Sequence, residues 1–167
     1  MQASDLETKA SPAKQARLVA CGLADRQFQT EKWLQLARSK HPLDQLSEQL
    51  EKLRAEDQTA NELHLVGHGH SNGIELAGQW IDQTSLVQAS AELAKWQVSS
   101  IVLWCCNVGQ NKKFIALLEE LTGAEVFTTS DVINKNKLVV TSQRGSERLF
   151  SDVLDQQAIN QLSLIHI

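Results

Sequence analysis

Residues 99–106, SSIVLWCC, constrain the fold more than any other stretch. Ile101, Val102, Leu103 and Trp104 follow one another without a polar position. A strand with no polar face is buried on both sides, which is the habit of central strands in parallel sheets sheltered by helices. The run ends in Cys105-Cys106-Asn107, so the chain spends its most buried strand on delivering two thiols to an edge.

Other short apolar runs fit the same sheet. ARLVACG, 16–22, and ELHLVGHG, 62–69, read as strands closed by glycine, and AEVFTTS, 124–130, and KLVVTS, 137–142, as two more strands. KWLQLA, 32–37, suits either a strand or a helix start. Between these runs the period changes. Leu43, Leu46, Leu50 and Leu53 make one apolar stripe behind Pro42, which predicts a helix beginning at the proline. A second helix is expected over 83–97, with Leu86, Val87, Ser90, Leu93 and Ala94 on one face. A third is expected over about 110–122, with Phe114, Leu117, Leu118 and Leu121 inward and Gly123 as its stop. A last helix is expected over 151–163. GIELAGQWI, 73–81, reads as a hairpin turning at Ala77-Gly78. Strands alternating with helices predict an α/β three-layer sandwich: a mostly parallel sheet, helices on both faces and a small β-hairpin after the third strand.

At 167 residues the chain suits one domain. We expect residues 1–15 to be a flexible segment and 16–150 the folded domain. Residues 151–167 would be a terminal helix or a truncated end, since the closing LSLIHI resembles adapter read-through and suggests a longer parent protein. Sixteen basic residues against twenty acidic ones give a net charge of −4, with no basic stripe for nucleic acid. No apolar run approaches a membrane span and no N-terminal signal peptide is evident, so the compartment is cytoplasmic by default, or export uses a C-terminal signal. Cys21, Cys105 and Cys106 make no disulfide framework.

HLVGHGHSNG, 64–73, holds three histidines. Ligands of parallel sheets bind beyond the carboxyl ends of the strands. If the strands ending in His68 and in Cys105-Cys106 are parallel neighbours, imidazole and thiol meet at one edge. A neighbouring imidazole favours the thiolate, and a helix N-terminus near Gln110 would add to that effect. Side-chain alternation separates Cys105 from Cys106, and Cys106, nearer the edge, is the better nucleophile. The N–H groups of Gly69 and Cys106 would hold an oxyanion. Gly73, Asn107, Ser130 and Asp131 are candidate pocket residues. Each has a plainer reading: His64 a packed strand residue, His70 a loop residue, Cys21 a small buried hydrophobe, Asp131 a turn cap. The tryptophans are spread out as core or rim groups. A metal site built from His64, His68 and His70 with a cysteine lacks any familiar spacing, and no metal or cofactor is expected.

LHLVGHGHSNGIELAG, then IVLWCCNVG, then FIALLEELTGAEVFTTSD resemble the bacterial family called domain of unknown function 4347, over roughly residues 16–142. His68-Gly69, Cys106-Asn107-Val108, Thr122-Gly123-Ala124, Val126 and Ser130-Asp131 match its motifs. That family in turn resembles caspase- and gingipain-like cysteine peptidases. The resemblance implies a caspase-like sheet, a His68–Cys106 dyad, and a peptide or protein substrate that includes the chain's own longer form. The sequence departs from the pattern at Gly67, where serine is usual, and at Trp104-Cys105, where Tyr-Gly is usual and the lost glycine would crowd the site. The loop Val108–Phe114 looks shortened, and KLVVTS stands where Trp-x-Leu-Glu is usual. These departures leave a second expectation open, an inactive structural or interaction module at the front of a large adhesin-like protein.

Overall fold

A computed structural model describes residues 16–23, 34–58, 60–130 and 139–149. The expectations for residues 1–15, for Trp33, for Asp131 and for a helix over 151–163 lie outside the described residues.

The chain forms a mixed α/β fold around a seven-stranded sheet ordered β10-β9-β8-β7-β3-β1-β2. Its strands are β1 (Ala16–Cys21), β2 (Leu34–Gln35), β3 (Ala60–Val66), β7 (Ser100–Trp104), β8 (Glu125–Thr128), β9 (Val139–Ser142) and β10 (Glu147–Leu149). From β2 to β8 every pairing is parallel, and β9 and β10 add antiparallel partners. All five residues of β7 are buried, as its unbroken apolar run requires. The ambiguous 32–37 stretch contributes the two-residue edge strand β2.

Side-chain alternation divides the sheet's contacts. Leu18, Ala20, Leu63, Leu65, Ile101, Leu103 and Val126 join one core cluster with residues of all four described helices. Those helices are α1 (Pro42–Ala55), α2 (Gln83–Gln88), α3 (Ser90–Leu93) and α4 (Lys112–Thr122). On the alternate positions His64, Val66, Val102, Trp104 and Phe127 are also buried, outside that cluster.

The helix boundaries follow local chemistry. α1 starts at Pro42, with the His41 imidazole accepting the Leu43 N–H. α4 ends at Gly123, whose φ of 75° is a left-handed cap that glycine adopts freely. The 83–97 helix is instead two short pieces. Asp82 and Ser85 form a reciprocal capping box on α2, and Ala89, at φ −100° and ψ 16°, interrupts the turn before α3. Val87 faces solvent rather than the core, while Leu86 and Leu93 are buried.

The hairpin turns where expected. β5 (Gly73–Leu76) and β6 (Gln79–Ile81) flank Ala77 and Gly78, both at positive φ, which is the two-residue turn that suits strand twist. A third short strand, β4 (His68–His70), pairs with β5 to make a separate three-stranded antiparallel sheet. This small sheet packs on the carboxyl ends of β1 and β3. The Ala77 N–H bonds the Gly22 carbonyl at 2.8 Å, and the Gly22 N–H bonds the Val66 carbonyl at 2.7 Å.

Candidate functional site

β3 and β7 are parallel neighbours whose register pairs Val66 with Trp104. The strands therefore end level, and Gly67-His68-Gly69 leaves one as Cys105-Cys106-Asn107 leaves the other. The juncture is tight. A Cβ on Gly69 would lie 2.7 Å from the Cys105 carbonyl carbon and closer still to the Cys106 amide nitrogen and oxygen. Only glycine lets β4 press its backbone against the Cys105–Cys106 peptide.

The two cysteines part company as alternation requires. Cys105 is fully buried in the core cluster, its Sγ 3.9 Å from the Leu65 carbonyl. Burial drives its thiol far above the ordinary range, so it stays protonated despite a hydrogen bond from the Gly67 N–H. Cys106 lies outside that cluster and is 6% exposed. The Cys105 thiol thus fills the helix-side core. Gly67, one of the departures, has its own reason. A Cβ there would stand 2.6 Å from the Glu75 carbonyl oxygen, where β5 crosses.

The turn after Cys106 differs from expectation. Asn107 adopts left-handed backbone angles, φ 66° and ψ −6°, which asparagine tolerates better than most residues. A single 3₁₀ turn, Val108–Gln110, follows, and α4 starts only at Lys112 with Asn111 as its cap. The N–H groups of Gly109, Gln110 and Asn111 bond the carbonyls of Thr129, Asn107 and Val108. The helix expected over about 110–122 thus runs over Lys112–Thr122. The same turn gathers two pocket candidates, because the Gln110 amide reaches the Ser130 carbonyl at 3.0 Å and the Asn107 Oδ1 at 3.5 Å.

The three histidines have different surroundings. His64 is fully buried, accepts the Trp104 indole N–H at 3.0 Å and bonds Glu62 at 2.9 Å. With Nδ1 accepting, Nε2 carries the proton toward the carboxylate. Burial holds the His64 pKa below its usual value, so the ring is neutral. Glu62 is lowered to about 2, first by the His64 hydrogen bond and then by Arg148, which bonds Oε2 through Nε and Nη2 at 3.0 and 2.9 Å. Arg148 also lies 4.3 Å over the Phe127 ring. His68 and His70 instead project from β4 on one face. Antiparallel register sets His68 opposite Glu75, Glu75 opposite Trp80, and His70 opposite Gly73. Gly73 approaches the Ile81 carbonyl so closely that a Cβ would overlap it. Trp80, expected as a core or rim group, is a rim group, and Glu75 was not singled out from sequence. The Ala77-Gly78 turn fixes the 75–80 pairing, so the signal was there.

Among the described residues no group of three or more His, Cys, Asp or Glu side chains is placed to hold a metal ion, and no helix is long and apolar enough to cross a membrane.

The strands β3 and β7 thus end level at the carboxyl edge of the parallel sheet, where the small antiparallel sheet adjoins. A family model described as Domain of unknown function (DUF4347) matches residues 22–140, more than half of the chain, and the protein belongs to that family. No curated protein and no solved structure matches it.

Proposed function

We propose that this domain is a cysteine peptidase with a caspase-like, three-layer arrangement, and that it cleaves peptide bonds, including bonds of its own longer chain. The observation that carries this reading is the level ending of β3 and β7, with the Gly69 backbone seated on the Cys105–Cys106 peptide. In this reading the Cys106 sulfur attacks the scissile carbonyl, His68 takes the thiol proton and returns it to the leaving amine, and water then hydrolyses the thioester. The Gly69 and Cys106 N–H groups hold the oxyanion. The test is incubation of the purified protein, in the longest form that can be expressed, followed by mass spectrometry of the products. Cleavage that disappears in Cys106→Ala and His68→Ala supports the reading; cleavage unchanged in both refutes it.

A second reading is favoured by the 6% exposure of Cys106. There the domain is a non-catalytic structural or interaction module of a larger surface protein. An intact chain after prolonged incubation, with Cys106 inert to peptidyl thiol probes, supports that reading.

A further inference from the structure

One face of the small sheet carries a feature that the dyad does not use. His70, Asn72, Trp80 and Asp82 line an open cavity of about 280 Å³. Its volume lies just below the ~300–1,000 Å³ of sites for whole small molecules, and suits one long side chain. Trp80 is 52% exposed, an unusual cost for the largest apolar side chain. His70 meets it edge-on with ring centroids 5.9 Å apart, and the His70 Nδ1 accepts the Asn72 N–H, so cavity wall and floor are braced. The Asp82 carboxylate accepts the Ser85 N–H and hydroxyl at 2.9 and 3.0 Å, which keeps it ionised at the rim. Glu75 stands on the same face, between His68 and Trp80 in the cross-strand row.

The charged groups that the small sheet carries on this side are the carboxylates of Glu75 and Asp82, and the sequence holds no lysine or arginine between Arg54 and Lys95. Arg38 reaches the hairpin at its opposite end, against Gly78 in the turn. An exposed indole face beside two carboxylates attracts a cation in two ways, through the ring quadrupole and through direct charge.

We propose that the His70–Trp80–Asp82 cavity is a subsite for a lysine or arginine side chain of a peptide. The proposal rests on the peptidase reading for its purpose, because a peptide seated there would run past His68, which shares the cavity's face. It does not rest on that reading for binding.

The experiment separates the two. Fluorescein-labelled heptapeptides with a central arginine, lysine, norleucine or glutamate are titrated into Cys106→Ala protein and read by polarisation. The same four residues are placed in acyloxymethyl ketone probes and applied to the wild-type protein, with Cys106 labelling read by mass spectrometry. We expect arginine and lysine peptides to bind at least ~10-fold more tightly than the other two, and Trp80→Leu or Asp82→Asn to remove that preference. Asn caps a helix as well as Asp, so the second variant leaves α2 in place if the first fails to fold. Equal binding of all four peptides, or preference for norleucine or glutamate, overturns the subsite. Cationic preference without labelling keeps the subsite and defeats the peptidase reading. Labelling without charge preference keeps the peptidase and overturns the subsite. Neither binding nor labelling overturns both.

Discussion

His64 and His68 are four positions apart, yet they occupy opposite chemical worlds. His64 lies within β3, sealed from water, with one ring nitrogen committed to Trp104 on β7 and the other to Glu62 on its own strand. His68 lies beyond the end of the same strand, partly exposed, on a three-residue strand whose neighbour Gly69 touches the cysteine peptide. One face of the β3–β7 pair thus carries a closed polar brace, running Trp104–His64–Glu62–Arg148, and the strand ends beyond it meet β4 in a tight backbone juncture. Satisfied and buried, His64 gives rigidity; His68, at the strand end, is the one to which the proposed mechanism assigns proton transfer. The two cysteines repeat the contrast, Cys105 committed to the core and Cys106 outside it.

Substitutions sharpen this contrast. The largest effect is expected at the brace. His64→Ala removes the acceptor of the Trp104 N–H, takes one donor from Glu62 and opens a cavity, at a cost of about 2–4 kcal/mol in denaturant unfolding. A loss below about 0.5 kcal/mol would mean that the brace does not hold the sheet.

Acid should weaken the fold through the same residues. The folded pKa of His64 is depressed, so the unfolded chain takes up a proton first, and stability begins to fall as pH drops below about 6.5. Glu62 is depressed to about 2 from 4.5; its contribution is complete above 4.5 and disappears as pH falls toward 2. Thermal melts between pH 8 and 3 should show the first loss begin near 6.5 in wild type and only in the carboxylate range in His64→Gln.

Next comes the seam between the two regions. Gly69→Ala forces a methyl into the Cys105–Cys106 peptide, which should cost about 1–3 kcal/mol and displace β4. A crystal structure of this variant with β4 unmoved would show that the seam is looser than described. The smallest effect is expected at His70→Ala. His70 is exposed and bonds only locally among the described residues, so stability should change by less than about 0.5 kcal/mol. The three histidines would then span the range from structural to dispensable within seven positions.

Much of this arrangement was legible in the sequence. The unbroken apolar run of β7 required a central strand, and Gly22 and Gly67 after the runs of β1 and β3 marked the sheet's carboxyl edge. Alternation separated Cys105 from Cys106, and Ala77-Gly78 marked the hairpin turn. What remained hidden depends on long-range partners. Nothing local in ANELHLV tells that Glu62 meets Arg148, 86 residues away, or that Trp104 donates to His64. The break at Ala89 was hidden because alanine is a strong helix former and gave no stop signal. The 3₁₀ turn ahead of α4 follows a left-handed Asn107, a conformation that asparagine permits without demanding it.

The central claim is that the juncture, unlike the brace beneath it, is a working pair. It is tested most directly by the rate at which a peptidyl acyloxymethyl ketone alkylates Cys106, measured in wild type, His68→Ala and His64→Gln under conditions where all three are folded. A general base contributes ~10²–10⁴-fold, so His68→Ala should slow alkylation at least ~100-fold. His64→Gln should leave it within a few-fold of wild type, and Cys105 should stay unlabelled throughout. Equal rates in wild type and His68→Ala would contradict the account.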